Sequence, residues 1–233
     1  VALITGGAKR VGRAMVERLS QAGFAVAFTY LGSVTDAETL AKSTGAFPIQ
    51  ADLTAPAESC QHIAADFSGR FSELDLLVNN ASIYQAASLA ETDVSMTRRL
   101  MAIHYESPLL LSQHFESHLR RSHGHIVNMV DLLAEKPMPK YLAYCASKAA
   151  LWNLTLSLAR ELAPEVTVNA IAPGVVEWPA DYPQTDREKY LKRVPLGREG
   201  TPADVAETVY FLATTGSYVT GQIIRLDGGR SIA

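Results

Sequence analysis

Tyr144 and Lys148 stand four residues apart in a long helical pattern, Tyr144-Cys145-Ala146-Ser147-Lys148. That spacing puts phenol and ammonium one turn apart on a single helix face. A free phenol holds its proton to a pKa of about 10, and a neighbouring cation favours the phenolate and is expected to draw that value down. A tyrosine placed this way can act as the proton donor of a reduction near neutral pH. Many helices carry Tyr and Lys at this spacing without any chemistry, so the pair gains its meaning from the start of the chain.

Val1 to Thr5 is a short apolar run without helical period, bounded by glycines, which predicts a buried parallel strand. Gly6, Gly7 and Gly12 follow, with Lys9, Arg10 and Val11 between them. From Arg13 to Gly23 the apolar positions Ala14, Met15, Leu19 and Ala22 predict a helix closed by a glycine. Strand, glycine turn and helix N-terminus together make a phosphate cradle, in which backbone N–H groups and the helix dipole face an anion. An ordinary tight turn is the alternative. Lys9 and Arg10 speak against it, because two cations at a helix N-terminus oppose the macrodipole unless an anion binds there.

With both motifs in place the chain resembles the short-chain dehydrogenase/reductase family over its whole length. Asp52 after the third strand, Asn79-Asn80-Ala81 after the fourth, Pro173-Gly174 after the sixth and Asp227-Gly228-Gly229 near the end carry the resemblance. It is closest to pteridine reductases and the bacterial dihydromonapterin/dihydrofolate reductases. Arg10 replaces the usual loop glycine, Asn80-Ala81-Ser82 replaces Asn-Ala-Gly, and Asp131 stands thirteen residues before Tyr144 where most members have serine. The run Leu162-Ala163-Pro164-Glu165-Val166 and Asp227-Gly228-Gly229-Arg230 are similar as well.

The resemblance implies a reductase using NADPH on a pterin (dihydrobiopterin- or dihydromonapterin-like, or dihydrofolate), with Tyr144, Lys148 and Asp131 as the catalytic residues. Lys148 would also hold the nicotinamide ribose. Cofactor contacts are expected from Gly6, Lys9, Arg10, Val11, Tyr30, Ser33, Asp52, Leu53, Asn80, Ala81, Ser82, Tyr144, Lys148, Pro173 and Gly174. Arg10, Ser82, Tyr84, Asp131, Tyr144 and Trp178 would meet the substrate, with Tyr84 stacking on the flat bicycle. Asp52 would accept from the adenine amine, or else cap a helix before Thr54. Arg230 of a neighbouring copy would approach the pocket, within a homo-oligomer expected to be a tetramer.

Asp131 bears on the reaction. An ionised carboxylate cannot donate to a ketone oxygen as a serine does, and its charge raises a neighbouring phenol's pKa. Reduction of a ring C=N bond fits better, with the carboxylate relaying protons or accepting from donor groups. A carbonyl reductase acting on 3-oxoacyl thioesters or small ketones is the runner-up, and a strand-end cap is the alternative role for Asp131. Relatives commonly carry a structural asparagine where His104 stands; the imidazole is expected either to hold a water and titrate near neutrality or to satisfy a helix kink.

An acid at the end of the second strand would bind a ribose 2′-hydroxyl and repel a 2′-phosphate. Thr29-Tyr30-Leu31-Gly32-Ser33 has none and the first acid is Asp36, which points to NADPH over NADH.

The wider sequence supplies the frame. The 233 residues are 48% hydrophobic and 19% charged, enough for the core of one α/β domain spanning 1–233. Strand-like runs alternating with amphipathic helices predict a single doubly wound parallel sheet of about seven strands with helices on both faces. Tyr141 to Leu162 gives the longest helix. Val175 to Thr185, with Trp178, Pro179, Tyr182 and Pro183, resists helix and sheet; within 175–195 a substrate-covering loop or a surface connection is expected. A net charge of −3 without a basic block argues against nucleic acid and anionic membranes. Cys60 and Cys145 give no disulfide or metal framework, and neither a signal peptide nor a membrane-spanning run is visible, so a cytoplasmic location is expected. The chain opens on a strand without Met, so a few preceding residues are expected.

Overall fold

The computed structural model describes residues 1–178 and 183–233. Seven short strands, β1 (Ala2–Ile4), β2 (Val26–Tyr30), β3 (Phe47–Gln50), β4 (Leu76–Asn79), β5 (His125–Met129), β6 (Thr167–Pro173) and β7 (Ile223–Leu226), form one sheet. Its order is β3-β2-β1-β4-β5-β6-β7 and every pairing is parallel. The sheet has the seven strands expected, and the first, read as Val1 to Thr5, spans Ala2–Ile4.

The central strands consist of apolar residues because both faces of the sheet are covered. Alternation sends Leu3 and Leu77 to one side, where they pack with Phe67, Phe115 and Leu151. Ile4 and Val78 point to the other, against Phe28, Met15, Leu19 and Val209. Helices α3 (Pro56–Ser68), α5 (Ser107–Ser122) and α6 (Leu142–Glu161) supply the first layer. The second comes from α1 (Arg10–Gln21), α2 (Val34–Thr44) and α8 (Pro202–Thr214). Between them along the chain lie α4 (Val94–Met101) and the short exposed α7 (Gln184–Leu191).

Two local features matter for the site. The chain runs outward from β1 to β2 and β3, then returns past β1 to β4, so a crevice opens at the carboxyl ends of β1 and β4. And α4 does not join α5 directly: Ala102–Glu106 forms a π-helical turn, a wider ring of backbone hydrogen bonds often found where a helix is bent for function. His104 sits in that turn. Among the described residues no helix is long and apolar enough to cross a membrane. Both cysteines are free and buried, and burial pushes the Cys60 thiol up to about 11.

Candidate active site

The glycine loop is pinned from two sides. Gly6 N–H donates to Thr29 Oγ1 (3.0 Å) and Gly7 N–H to the Thr29 carbonyl (2.8 Å). From β4, Asn80 Nδ2 donates to the carbonyls of Thr5 (2.9 Å) and Gly6 (3.1 Å), while the backbone N–H groups of Asn80 and Ala81 donate to Thr5 Oγ1. The loop then packs so closely that side chains are excluded: a Cβ on Gly12 would lie 2.1 Å from the Gly6 carbonyl oxygen. Gly6 has φ +65, the left-handed region glycine enters freely. Helix α1 begins at Arg10, three residues before the expected start, which brings its N-terminus to the crevice. Such a cradle admits a pyrophosphate backbone-first, so the residues fit a dinucleotide.

The two cations of the loop are already partnered. Lys9 Nζ lies 3.0 Å from Asp36 Oδ2, so the first acid after the second strand does reach this region. Arg10, at φ +52, donates from Nε to Glu177 Oε2 (2.6 Å) and from Nη2 to the Glu177 carbonyl (3.0 Å). Thus Arg10 bridges the loops after β1 and β6. Val11 is partly buried against the α1–α2 layer, Tyr30 closes β2, and Ser33 precedes α2 without a side-chain cap. Asp52 Oδ1 accepts from both Thr54 N–H (2.9 Å) and Thr54 Oγ1 (2.7 Å), the capping geometry weighed against an adenine contact. Leu53 turns its side chain into the core. Pro173 ends β6, and Gly174 is held by its N–H on the Leu226 carbonyl (3.0 Å).

At the other side of the crevice the proton-handling groups converge. Asp131 follows β5 and uses both oxygens. Oδ1 accepts from Leu133 N–H (2.9 Å), capping a short 3-10 turn at Leu132–Ala134, and Oδ2 accepts from Tyr144 OH (2.8 Å). Cap and proton partner are one residue. Lys148 is 2% exposed and donates from Nζ to the Met129 carbonyl (2.7 Å).

Lys148 was expected to pull the phenol's pKa down, and the structure reverses this. Tyr144, 4% exposed, is raised well above the ordinary phenol value, first by burial and then by the charge and hydrogen bond of Asp131. The ammonium stands 5.9 Å from the ring centroid while the carboxylate oxygen is 2.8 Å from the phenol oxygen. Coulomb energy varies inversely with distance, and the carboxylate in direct contact with the phenol oxygen prevails. Burial in turn lowers Lys148 to about 8, against the opposing pull of Asp131.

His104 is also corrected. It is fully buried, and burial followed by the Lys148 charge drives its pKa far below the histidine range. It therefore does not titrate near neutrality. Its Nε2 lies 2.8 Å from Ser82 Oγ and takes the Ile83 N–H at 3.3 Å; its Nδ1 lies 2.8 Å from Ser147 Oγ.

Tyr84 is 57% exposed and stacks on Tyr141 (4.6 Å, 24°), with its edge to Tyr144 (4.9 Å, 88°). Trp178 packs edge-on to Tyr190 (5.3 Å), whose hydroxyl accepts from Val175 N–H (3.1 Å). The Arg230 guanidinium lies 5.7 Å from the Tyr190 ring of its own chain. Residues 179–182, including Pro179 and Tyr182 of the expected covering loop, lie outside the described residues. Past them the chain is helical from Gln184 rather than irregular.

Sequence reasoning passed over Thr5, Thr29, Tyr141, Ser147, Glu177 and Tyr190. Of these only Ser147, one residue before Lys148 and on the inner face of α6, carried a spacing signal.

A parallel sheet with a glycine cradle at its switch point and a Tyr/Lys pair on the neighbouring helix defines a class of nucleotide-dependent oxidoreductases. Residues 6–231 match the family model described as enoyl-(acyl carrier protein) reductase, a short-chain dehydrogenase model, and the chain belongs to this short-chain dehydrogenase/reductase family. It is 36% identical to a dihydromonapterin reductase of Enterobacter sp. (strain 638), covering 99% of this chain and 96% of that protein. It is 33% identical to the 3-oxoacyl-[acyl-carrier-protein] reductase FabG of Staphylococcus aureus, covering 98% and 96%. Among solved structures, FolM alternative dihydrofolate reductase 1 from Brucella canis, complexed with NADP, superposes with a TM-score of 0.90 at 35% identity, covering 100% of this chain and 94% of that one.

Proposed function

We propose that this protein is an NADPH-dependent reductase of dihydropterins, with dihydromonapterin, dihydrobiopterin and dihydrofolate as the candidate substrates. The observation that carries this reading is the Tyr144 OH to Asp131 Oδ2 hydrogen bond (2.8 Å). Where a ketone reductase places a second hydroxyl donor, this chain places an acceptor, and the likeness to dihydromonapterin and FolM reductases supports the same choice.

Bound NADPH would supply the hydride to the ring carbon of a C=N bond. The chain's own work is with protons. Tyr144 turns its proton from Asp131 to the ring nitrogen that becomes N–H. A phenolate left beside a carboxylate is costly, so Asp131, half-buried at the cleft, returns a proton from solvent to the phenol. Lys148, fixed on the Met129 carbonyl, keeps a positive charge near the phenol during the transfer and would hold the nicotinamide ribose. Tyr84 offers a flat surface at the mouth, and Asn80, Gly6 and the α1 N-terminus would seat the pyrophosphate. With Lys9 in place, a 2′-phosphate has a cation within reach once Asp36 gives way. A homo-oligomer in the cytoplasm completes the reading.

The FabG likeness gives the competing reading, reduction of a 3-oxoacyl thioester. NADPH oxidation measured side by side with dihydromonapterin, dihydrobiopterin, dihydrofolate and an acetoacetyl thioester decides between them. Turnover of at least one dihydropterin, well above the thioester, is expected; turnover of the thioester alone refutes the pterin reading.

A further inference from the structure

Residues 80–93 link β4 to α4 without helix or strand, and Tyr84 lies on this link. What fixes it comes from the start of α6. The Ala87 N–H donates to the Lys140 carbonyl (2.7 Å), and Ala87 pairs with Tyr141 in an isolated parallel bridge. Lys140 holds φ +70, the left-handed region that residues other than glycine enter at a cost. A strained residue persists only where its surroundings over-determine it, and such residues gather at functional sites. Here the strained corner aims the Lys140 carbonyl at Ala87 and brings the Tyr141 ring to Tyr84.

Ring contacts then define the plane of Tyr84. Its centroid lies 4.6 Å from that of Tyr141, with the rings 24° from parallel. It lies 4.9 Å from that of Tyr144, with the rings nearly perpendicular at 88°. Tyr141 and Tyr144 stand 6.3 Å apart, so the three centroids make almost a right angle at Tyr84. Tyr141 therefore covers one face of the Tyr84 ring while Tyr144 meets its rim. Tyr84 is 57% exposed, and that exposure falls on the face turned from Tyr141. Tyr141 is the residue before α6 and Tyr144 lies in its first turn. One helix end thus sets both the ring that backs Tyr84 and the phenol that donates the proton.

We propose that Tyr141 is a positioning residue: by backing Tyr84 it presents the outer face of that ring as a platform for a flat heterocycle beside the Tyr144 phenol. The inference rests on the pterin reading and adds what holds the platform. A loose ring has to be ordered by each substrate, whereas a backed ring is ordered in advance, so the gain falls on binding. An acyl thioester has no flat ring to lay there and draws nothing from the platform.

Steady-state kinetics with a dihydropterin compare Tyr141→Leu, Tyr141→Phe, Tyr84→Leu and the double variant Tyr84→Leu/Tyr141→Leu. Tyr141→Leu should raise the pterin KM roughly two- to tenfold, the range of one aromatic pair. Its kcat should stay near wild type, since Asp131, Tyr144 and Lys148 keep their places. Tyr141→Phe retains the ring and should restore the wild-type KM. Added to Tyr84→Leu, which raises KM by itself, the Tyr141→Leu exchange should change it no further. A wild-type KM in Tyr141→Leu or in Tyr84→Leu, an equal rise in Tyr141→Phe, a further rise in the double variant or a loss confined to kcat overturns the proposal.

The stack itself is read without turnover. In wild-type protein carrying labelled tyrosine rings, NMR should show through-space contacts between the Tyr84 and Tyr141 rings, with Tyr84 ring protons shifted upfield. Their absence overturns the proposal even where the variants do not fold. Wild-type enzyme inactive on every dihydropterin removes the proposed function instead, and these signals still decide whether Tyr141 backs Tyr84.

Discussion

One carboxylate serves two tasks in Asp131, holding a backbone turn with Oδ1 and the Tyr144 proton with Oδ2. Burial first, and then this contact, keep the phenol protonated far into the alkaline range, and Lys148 is the group that titrates close to working conditions. Its pKa of about 8 gives a sign: as pH rises through that value the ammonium loses its proton and its charge. We predict that kcat/KM, which reports the free enzyme, falls above about pH 8. In Lys148→Arg, whose charge persists, the alkaline fall should vanish even though activity drops; a fall that remains assigns it to another group. Tyr144→Phe should lose at least about a hundredfold in kcat, the low end for a positioned proton donor. The four-residue spacing revealed the Tyr144/Lys148 pair, and the thirteen-residue spacing revealed Asp131. The order of their pKa shifts was not legible, because burial and a 2.8 Å contact outweigh helix spacing.

The elements that seat these groups explain what could be read in advance and what could not. Apolar runs bounded by glycine announced the strands, and the glycine cluster announced the cradle. Its pinning did not show in the sequence, since Thr5, Thr29 and Asn80 are common residues that meet only when β1, β2 and β4 lie side by side. The Arg10–Glu177 pair joins positions 167 apart and has no local signal. Gly12 is the sharpest test of the loop. Gly12→Ala sets a Cβ against the Gly6 carbonyl at 2.1 Å, which an overpacked site pays for with about 1–3 kcal/mol. Thermal denaturation should show that loss, and fluorescence titration should show weakened NADPH binding. An unchanged melting temperature with full affinity would mean the loop does not pack this way.

At the scale of the molecule, strand order decides where a ligand sits. Because β1 lies between β2 and β4, the glycine loop from one and Asn80 from the other meet in one crevice, and β5 with α6 places Asp131, Tyr144 and Lys148 along its wall. Binding there stabilises the whole domain by mass action, about 2.7 kcal/mol at a hundred times Kd. For a chain of this length that is a rise in Tm of roughly 5–10 °C. NADPH should produce it at lower concentration than NADH, and Asp36→Asn, which frees Lys9 from its 3.0 Å partner, should widen the gap. Equal shifts with both cofactors, unchanged in Asp36→Asn, would show that Lys9 reads no 2′-phosphate. Alternating strands and helices made the seven-strand sheet legible, whereas the Lys9–Asp36 contact appears only once α2 folds back over α1.

The Asp131→Ser exchange goes to the centre of the account, with kcat/KM measured for a dihydropterin and for an acetoacetyl thioester. The account predicts that pterin reduction collapses by about a hundredfold or more while thioester reduction holds or rises. Pterin reduction at the wild-type rate in Asp131→Ser would contradict it.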